Sequence, residues 1–516
     1  MATESMQHGR DVKRESTANH FTRVSPRLAR FVPLASAALI ALLYAGWWRP
    51  IWYDELLHFA MGGMTFEYAL KTIDYTTIEV NHGQTGVYLL LDWVLLQIFG
   101  ASAIALRAPS LVSALAMLLA VIVFLRAKGL GWKWQSVAVA AFGANSTLMF
   151  FVGEARPYMP MAASTIAMLA YYALGSDDRR TWWGRCIGVF GFLVGAVMHP
   201  YWILMWFLMA TFSVADYVFR PQAGRHLKAL ISFLSPKLVA SGLLLYVVTG
   251  QLTWMRRVLN FGADPGWTYD WSVIWASFGW SHFAFSPQYM PVRSSSWPTL
   301  VSELVIAPLA ALALIVAISL LFVARCRTRD LLPPAGLVLT GVLSSALLTL
   351  VSFRSNYLIL ERQWVAGMAI STLGLAWFFA VWWRNVRKAR ALAMLPVWTY
   401  LGLVTVSFAA AAATQMQLTI ERLENWTTFQ NDPRTVEEFV ADPGAQTFVY
   451  DPIEGYEYMA NVNIARGGPV WEEFVAWYNK WSGMRPEFRE SNPGWTRFIW
   501  PQEAAQSRLC IPQLCP

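Results

Sequence analysis

Apolar runs close to bilayer length recur along most of this chain, and that repetition constrains its fold more than any single motif. They fall at 31–48, 85–100, 108–125, 135–152, 157–174, 186–199, 200–219, 229–249, 304–324, 331–352, 363–383 and 391–413. A helix needs about 20 residues to cross the hydrocarbon core. Inside that core only a helix or a closed barrel satisfies its own backbone polar groups. Charged residues make up 14% of the 516 positions, where a soluble domain carries about 25%. The sequence therefore predicts an α-helical polytopic membrane protein.

Basic residues fix the predicted orientation. They cluster in short loops at Arg126/Lys128/Lys133, Arg179/Arg180/Arg185, Arg220/Arg225/Lys228, Arg325/Arg327/Arg329 and Arg384/Arg387/Lys388/Arg390. Such loops stay on the cytoplasmic side. All five fall there only if the run at 85–100 does not cross, which leaves about eleven transmembrane helices. Residues 1–30 form a polar cytoplasmic arm, basic near its end. The first run has no small-residue cleavage site after it, so it reads as an uncleaved anchor. The transmembrane module is 31–413, with external loops at 49–107 and 250–303. The remaining 414–516 is acidic, with 14 Asp+Glu against 8 Lys+Arg. Gln446 to Tyr450 reads as a strand between Asp-Pro turns, so this segment is expected to be a small extracytoplasmic α/β domain. Cys510 and Cys515 lie close together within it and are candidates for a disulfide on the oxidising side. The net charge of +8 is spread over loops without a nucleic-acid motif, so no nucleic-acid partner is expected. Membrane lipids are.

This topology gathers an unusual set of polar residues outside: Asp54, Glu55, His58, Glu67, His82, Arg107, Glu154, Arg156, Tyr158, Arg256, Arg257, Arg293, Arg354, Glu361 and Arg362. Ionisable groups near hydrocarbon are costly and mark functional sites. On a helix Asp54 and His58 share a face, and adjacent carboxylates raise one another's pKa unless a cation intervenes. That suits a general base; the plainer reading is a pair of solvated interfacial acids that cap a helix. Arg156 sits between an apolar run and Pro157, at a predicted helix boundary, where an arginine can also simply snorkel. Arg107 opens a helix against its dipole; an external anion or a carboxylate such as Asp92 would offset that cost. Arg354 and Arg362 bracket another external helix end. Trp52 is placed for stacking, while most of the 27 tryptophans suit interface belts.

The order of these residues resembles the GT-C superfamily of polytopic glycosyltransferases, in the branch that holds protein O-mannosyltransferases and lipid A aminoarabinose transferases. The resemblance rests on Trp52-Tyr53-Asp54-Glu55 with His58-Phe59 and on Asn81-His82-Gly83-Gln84-Thr85-Gly86-Val87-Tyr88. It continues through Leu106-Arg107-Ala108-Pro109-Ser110 and Glu154-Ala155-Arg156-Pro157-Tyr158. It covers roughly 30–175, and Gly83-Gln84 stands where the family has two prolines. The resemblance implies Asp54 and Glu55 as catalytic acids and Arg107 and Arg156 as holders of a donor phosphate, with Arg354 and Arg362 as further phosphate candidates. His58, His82, Tyr158 and Trp52 are substrate-binding candidates. Some relatives carry a divalent metal, for which Asp54, Glu55 and His58 are the candidate ligands.

The resulting expectation is an inverting glycosyltransferase of the inner (cytoplasmic) membrane, its N-terminus cytoplasmic and its C-terminus outside. It would move one sugar from a polyprenyl phosphate to an envelope glycolipid, polysaccharide or protein. The rival is a transporter or flippase of a lipid-linked sugar, which would use the same arginines without a base.

Overall fold

The computed structural model describes residues 28–46, 86–100, 102–199, 330–354, 361–386 and 391–431, with positions 51, 55, 58, 59, 61–63, 65–71, 202, 205, 207 and 282. The described residues are mostly helical and contain no strand. In chain order the helices are α1 (Val32–Leu43), α2 (Phe66–Lys71), α3 (Gly86–Phe99), α4 (Ala103–Ala127), α5 (Trp132–Ala144), α6 (Ser146–Phe150) and α7 (Tyr158–Ala173). They continue with α8 (Ser176–Arg180), α9 (Trp182–Val189), α10 (Gly195–Met198), α11 (Leu332–Arg354), α12 (Val365–Val386) and α13 (Leu395–Asn431). Four helices among them are long and apolar enough to cross a membrane, or five if one bent pair counts as a single span.

Local chemistry explains where these helices start and turn. The Ser102 hydroxyl accepts from the Ile104 amide at 3.2 Å, capping α4. At 25 residues, α4 is about 37 Å long and exceeds the hydrocarbon core. The 14 residues of α3 reach only about 21 Å. The run at 135–152, read from hydropathy as one span, is two helices meeting at 72°. Asn145 sits at that corner: its side-chain oxygen accepts from the Leu148 amide at 3.1 Å and its amide donates to Thr372 of α12 at 3.3 Å. An asparagine that bonds local backbone competes with helix continuation.

Close backbone approaches set the packing. α11 and α12 meet through small residues; a Cβ on Gly341 would come within 2.6 Å of the Gly367 carbonyl. Small residues are what let helices approach in a bilayer. α13 continues unbroken through the 413/414 boundary to Asn431, a length of about 55 Å. At the other end of the bundle, Gly46 follows α1 with φ +64°, and a Cβ there would lie 2.9 Å from Gly153 Cα. This contact brings the end of α1 onto the loop after α6. The phenol of Tyr44 holds the same junction by donating to the Gly143 carbonyl at 2.7 Å.

Candidate functional site

Against that junction lies a group of buried polar side chains drawn from distant parts of the sequence. Glu55 and Asp92 are fully buried, Arg107 is 1% exposed, Glu154 2% and Arg156 7%. His58, Tyr88, Ser110 and His199 are buried among them. Burial of ionised groups is tolerated when they are paired and hydrogen-bonded, and the pairing here is specific.

Glu55 and Arg107 form a forked ion pair. Arg107 donates from Nε to Glu55 Oε1 at 2.8 Å and from Nη2 to Oε2 at 2.5 Å, and its Nη1 donates to the Gly46 carbonyl at 2.7 Å. The planar guanidinium matches a carboxylate in this way. Glu55 Oε1 also accepts the Ala155 amide at 2.9 Å. One carboxylate thus joins the segment after α1, the start of α4 and the 154–157 segment. The sequence offered an external anion or Asp92 to offset the cationic helix start; the structure supplies Glu55. Asp92 is engaged elsewhere, through Oδ2 to His58 Nδ1.

The His58–Asp92 pair forms a second set of contacts. The His58 ring meets Tyr88 edge-on with centroids 5.3 Å apart. The Tyr88 hydroxyl lies 2.9 Å from Ser110 Oγ, and Ser110 donates to the Arg156 carbonyl at 3.2 Å. Burial and the neighbouring Glu55 carboxyl push Asp92 well above the usual carboxylate range, and Arg156 acts in the opposite sense. Asp92, Glu55 and Arg156 therefore lie within one electrostatic environment. Across it, Tyr158 packs on His199 with centroids 5.2 Å apart. The guanidinium groups of Arg362, half-buried in the turn Glu361–Trp364, and of Arg156 both act electrostatically on His199.

The structure thus brings together Glu55, His58, Arg107, Arg156, Tyr158 and Arg362 from the predicted set. Asp54, Trp52, His82, Cys510 and Cys515 lie outside the described residues, as do the side chain of Arg354 and the segment at 446–450. Tyr88 and Ser110 stand in the segments that carry the resemblance but were given no role, His199 was not singled out, and Asp92 entered only as a partner for Arg107. Asp92 did carry a signal, since it is the sole charged residue of α3. Ser110 carried none, because buried serines are common in apolar helices.

Of the candidate metal ligands, Asp54 lies outside the described residues, and Glu55 and His58 are engaged with other partners. Among the described residues no three His, Cys, Asp or Glu side chains stand together for a metal. Both Glu55 oxygens accept from Arg107, and His58 Nδ1 faces Asp92. What the cluster offers is fixed positive charge with carboxyl groups alongside, a setting able to hold an anion next to a proton acceptor. Comparison with family models, curated proteins and solved structures finds no match to this chain.

Proposed function

We propose that this chain is a membrane glycosyltransferase that takes a monosaccharide from a polyprenyl phosphate and delivers it to an envelope acceptor on the outer face of the cytoplasmic membrane. About eleven crossings and an external C-terminal α/β domain belong to this reading, as does a cytoplasmic N-terminus. The observation that supports it best is the gathering of Glu55, Asp92, Arg107 and Arg156 in one buried cluster, with Arg362 beside His199. Transfer from a lipid phosphate needs both kinds of group. A carboxylate takes the acceptor's proton as the oxygen attacks the anomeric carbon. Cations hold the phosphate, which gains negative charge as its bond to the sugar breaks.

In this reading Asp54 is the base. Glu55, committed to Arg107 and the Ala155 amide, holds the frame. Arg156 and Arg362 hold the phosphate, with Arg354 nearby in sequence, and Tyr158 with His199 lines the same subsite. Trp52 and His82 are assigned to the substrate side.

A deletion strain tests this. Mass spectrometry of its envelope lipids and glycans should show one sugar missing from one acceptor, with the corresponding polyprenyl-phosphate sugar accumulating. Restoring the wild-type chain should return the sugar, and Asp54→Asn should not. Normal product from Asp54→Asn would remove the base assignment. Movement of the donor between leaflets by purified protein, with no glycoside formed, would make the chain a transporter.

A further inference from the structure

Arg156 is held by its backbone from two sides, and the reason lies in the proline that follows it by four residues. In a continuing helix the Arg156 carbonyl would accept from the amide of residue 160. That residue is Pro160, which has no N–H to give. The first helical bond of α7 is instead Met161 N–H to the Pro157 carbonyl, at 3.0 Å. The Ser110 hydroxyl fills the vacancy at 3.2 Å. A serine has one proton to donate, so with that proton on Arg156 the 2.9 Å contact with Tyr88 has Tyr88 as donor. The order is Tyr88 O–H to Ser110 Oγ, then Ser110 O–H to the Arg156 carbonyl. His58, held by Asp92, packs edge-on against the Tyr88 ring. On the N-terminal side of Arg156, the Ala155 amide is held by Glu55, itself fixed by Arg107.

We propose that Tyr88 and Ser110, backed by the His58–Asp92 pair, are positioning residues of a lipid-phosphate subsite that act by fixing the backbone of Arg156. Glu55 and Arg107 fix the same backbone from the other side. This rests on one part of the functional reading, the assignment of Arg156 to the phosphate of a lipid. A guanidinium recognises phosphate through a planar fork, and a fork is useful only when its base is aimed. Buried hydrogen bonds among neutral groups provide that aim without adding charge that would compete with the ligand.

The test is binding of sugar-free polyprenyl phosphate to the full-length protein in nanodiscs, with sugar transfer from the donor lipid of the deletion strain followed in parallel. Tyr88→Phe removes one oxygen and keeps the ring against His58; Ser110→Ala removes the bond to Arg156. Each should weaken binding about 3- to 10-fold, the range set by one hydrogen bond. Ser110→Thr, which restores a hydroxyl, should recover most of the loss. In an Arg156→Ala background neither variant should weaken binding further, because both act through that side chain. Wild-type affinity in folded Tyr88→Phe and Ser110→Ala overturns the inference, as does a full additional loss on top of Arg156→Ala, or failure of the wild type to bind the lipid. Should Ser110→Ala not fold, Tyr88→Phe and its double variant decide alone. Transfer that proceeds while the two variants bind normally ends this inference and leaves the transferase reading standing. Binding that follows the expected pattern without any transfer does the reverse.

Discussion

At the scale of single residues, the site depends on how three carboxyl groups are divided among partners. Glu55, Asp92 and Glu154 are all buried, yet the first two have different tasks. Glu55 accepts three hydrogen bonds from Arg107 and the Ala155 amide, whereas Asp92 faces an imidazole. Removing one member of a buried ion pair leaves the other uncompensated, at about 3–5 kcal/mol. Glu55→Ala and Arg107→Ala should each lower the thermal unfolding temperature in detergent by an amount in keeping with that range. Their double variant should lose less than the sum of the two, since each single change strands a charge. Losses that simply add would mean that the pair is not the unit described. Arg107→Lys should recover only part of the loss, because an ammonium cannot form the fork.

The site was partly legible at this same scale. Arg107 is conspicuous as a cation opening a helix, and the sequence correctly asks for an anion beside it. It does not say which one, because Glu55 lies 52 positions away and the pairing depends on how the end of α1 meets the loop after α6. Ser110 was unreadable for a further reason: its partner is a backbone carbonyl, which every residue possesses.

At the scale of elements, the packing turns on two corners. Gly46 joins α1 to Gly153 in a left-handed backbone conformation, with no room for a side chain. Gly46→Ala is strained twice, by its φ and by contact with Gly153, and Gly46 also supplies the carbonyl that Arg107 binds. Binding of polyprenyl phosphate should fall together with thermal stability in this variant; wild-type binding would show that the corner does not position the site. The second corner is Asn145. Asn145→Ala removes the bond to Thr372 and the cap on Leu148 and should cost about 1–3 kcal/mol. Hydropathy counted 135–152 as one span because the average over a window is indifferent to a hydrogen-bonding side chain at its centre. The expectation that the short α3 does not cross rests on charge parity, a constraint carried by whole loops rather than by any one helix. The continuation of α13 past residue 413 escaped because its last part is polar, and composition alone marks that as a change of environment, not of secondary structure.

At the scale of the whole molecule, the candidate membrane spans and the buried polar site are two aspects of one arrangement. Four or five apolar helices are long enough to cross a bilayer, and the polar groups collect where the end of α1, the start of α4 and the start of α7 meet. In α4, Arg107 lies near the first residue and Lys128 just after the last, so a spanning α4 sets them on opposite faces of the membrane. Lys128 packs near the rings of Phe124, Tyr172 and Trp377, at 5.5, 5.6 and 4.9 Å from their centroids. A cysteine in place of Lys128 should react with an impermeant thiol reagent only from the cytoplasmic side; labelling from outside would invert the topology and move the site to the cytoplasm.

The most direct measurement of the central claim is transfer by the purified, reconstituted protein from polyprenyl-phosphate sugar extracted from the deletion strain. Wild-type protein should release polyprenyl phosphate and glycosylate acceptor in membranes of that strain, while Asp54→Asn and Arg156→Ala, still folded, should each lose at least about 100-fold in rate, on the scale of general base and charge-stabilising groups. Undiminished transfer by both variants would contradict the account, because the carboxyl and guanidinium groups on which it is built would then take no part in the reaction.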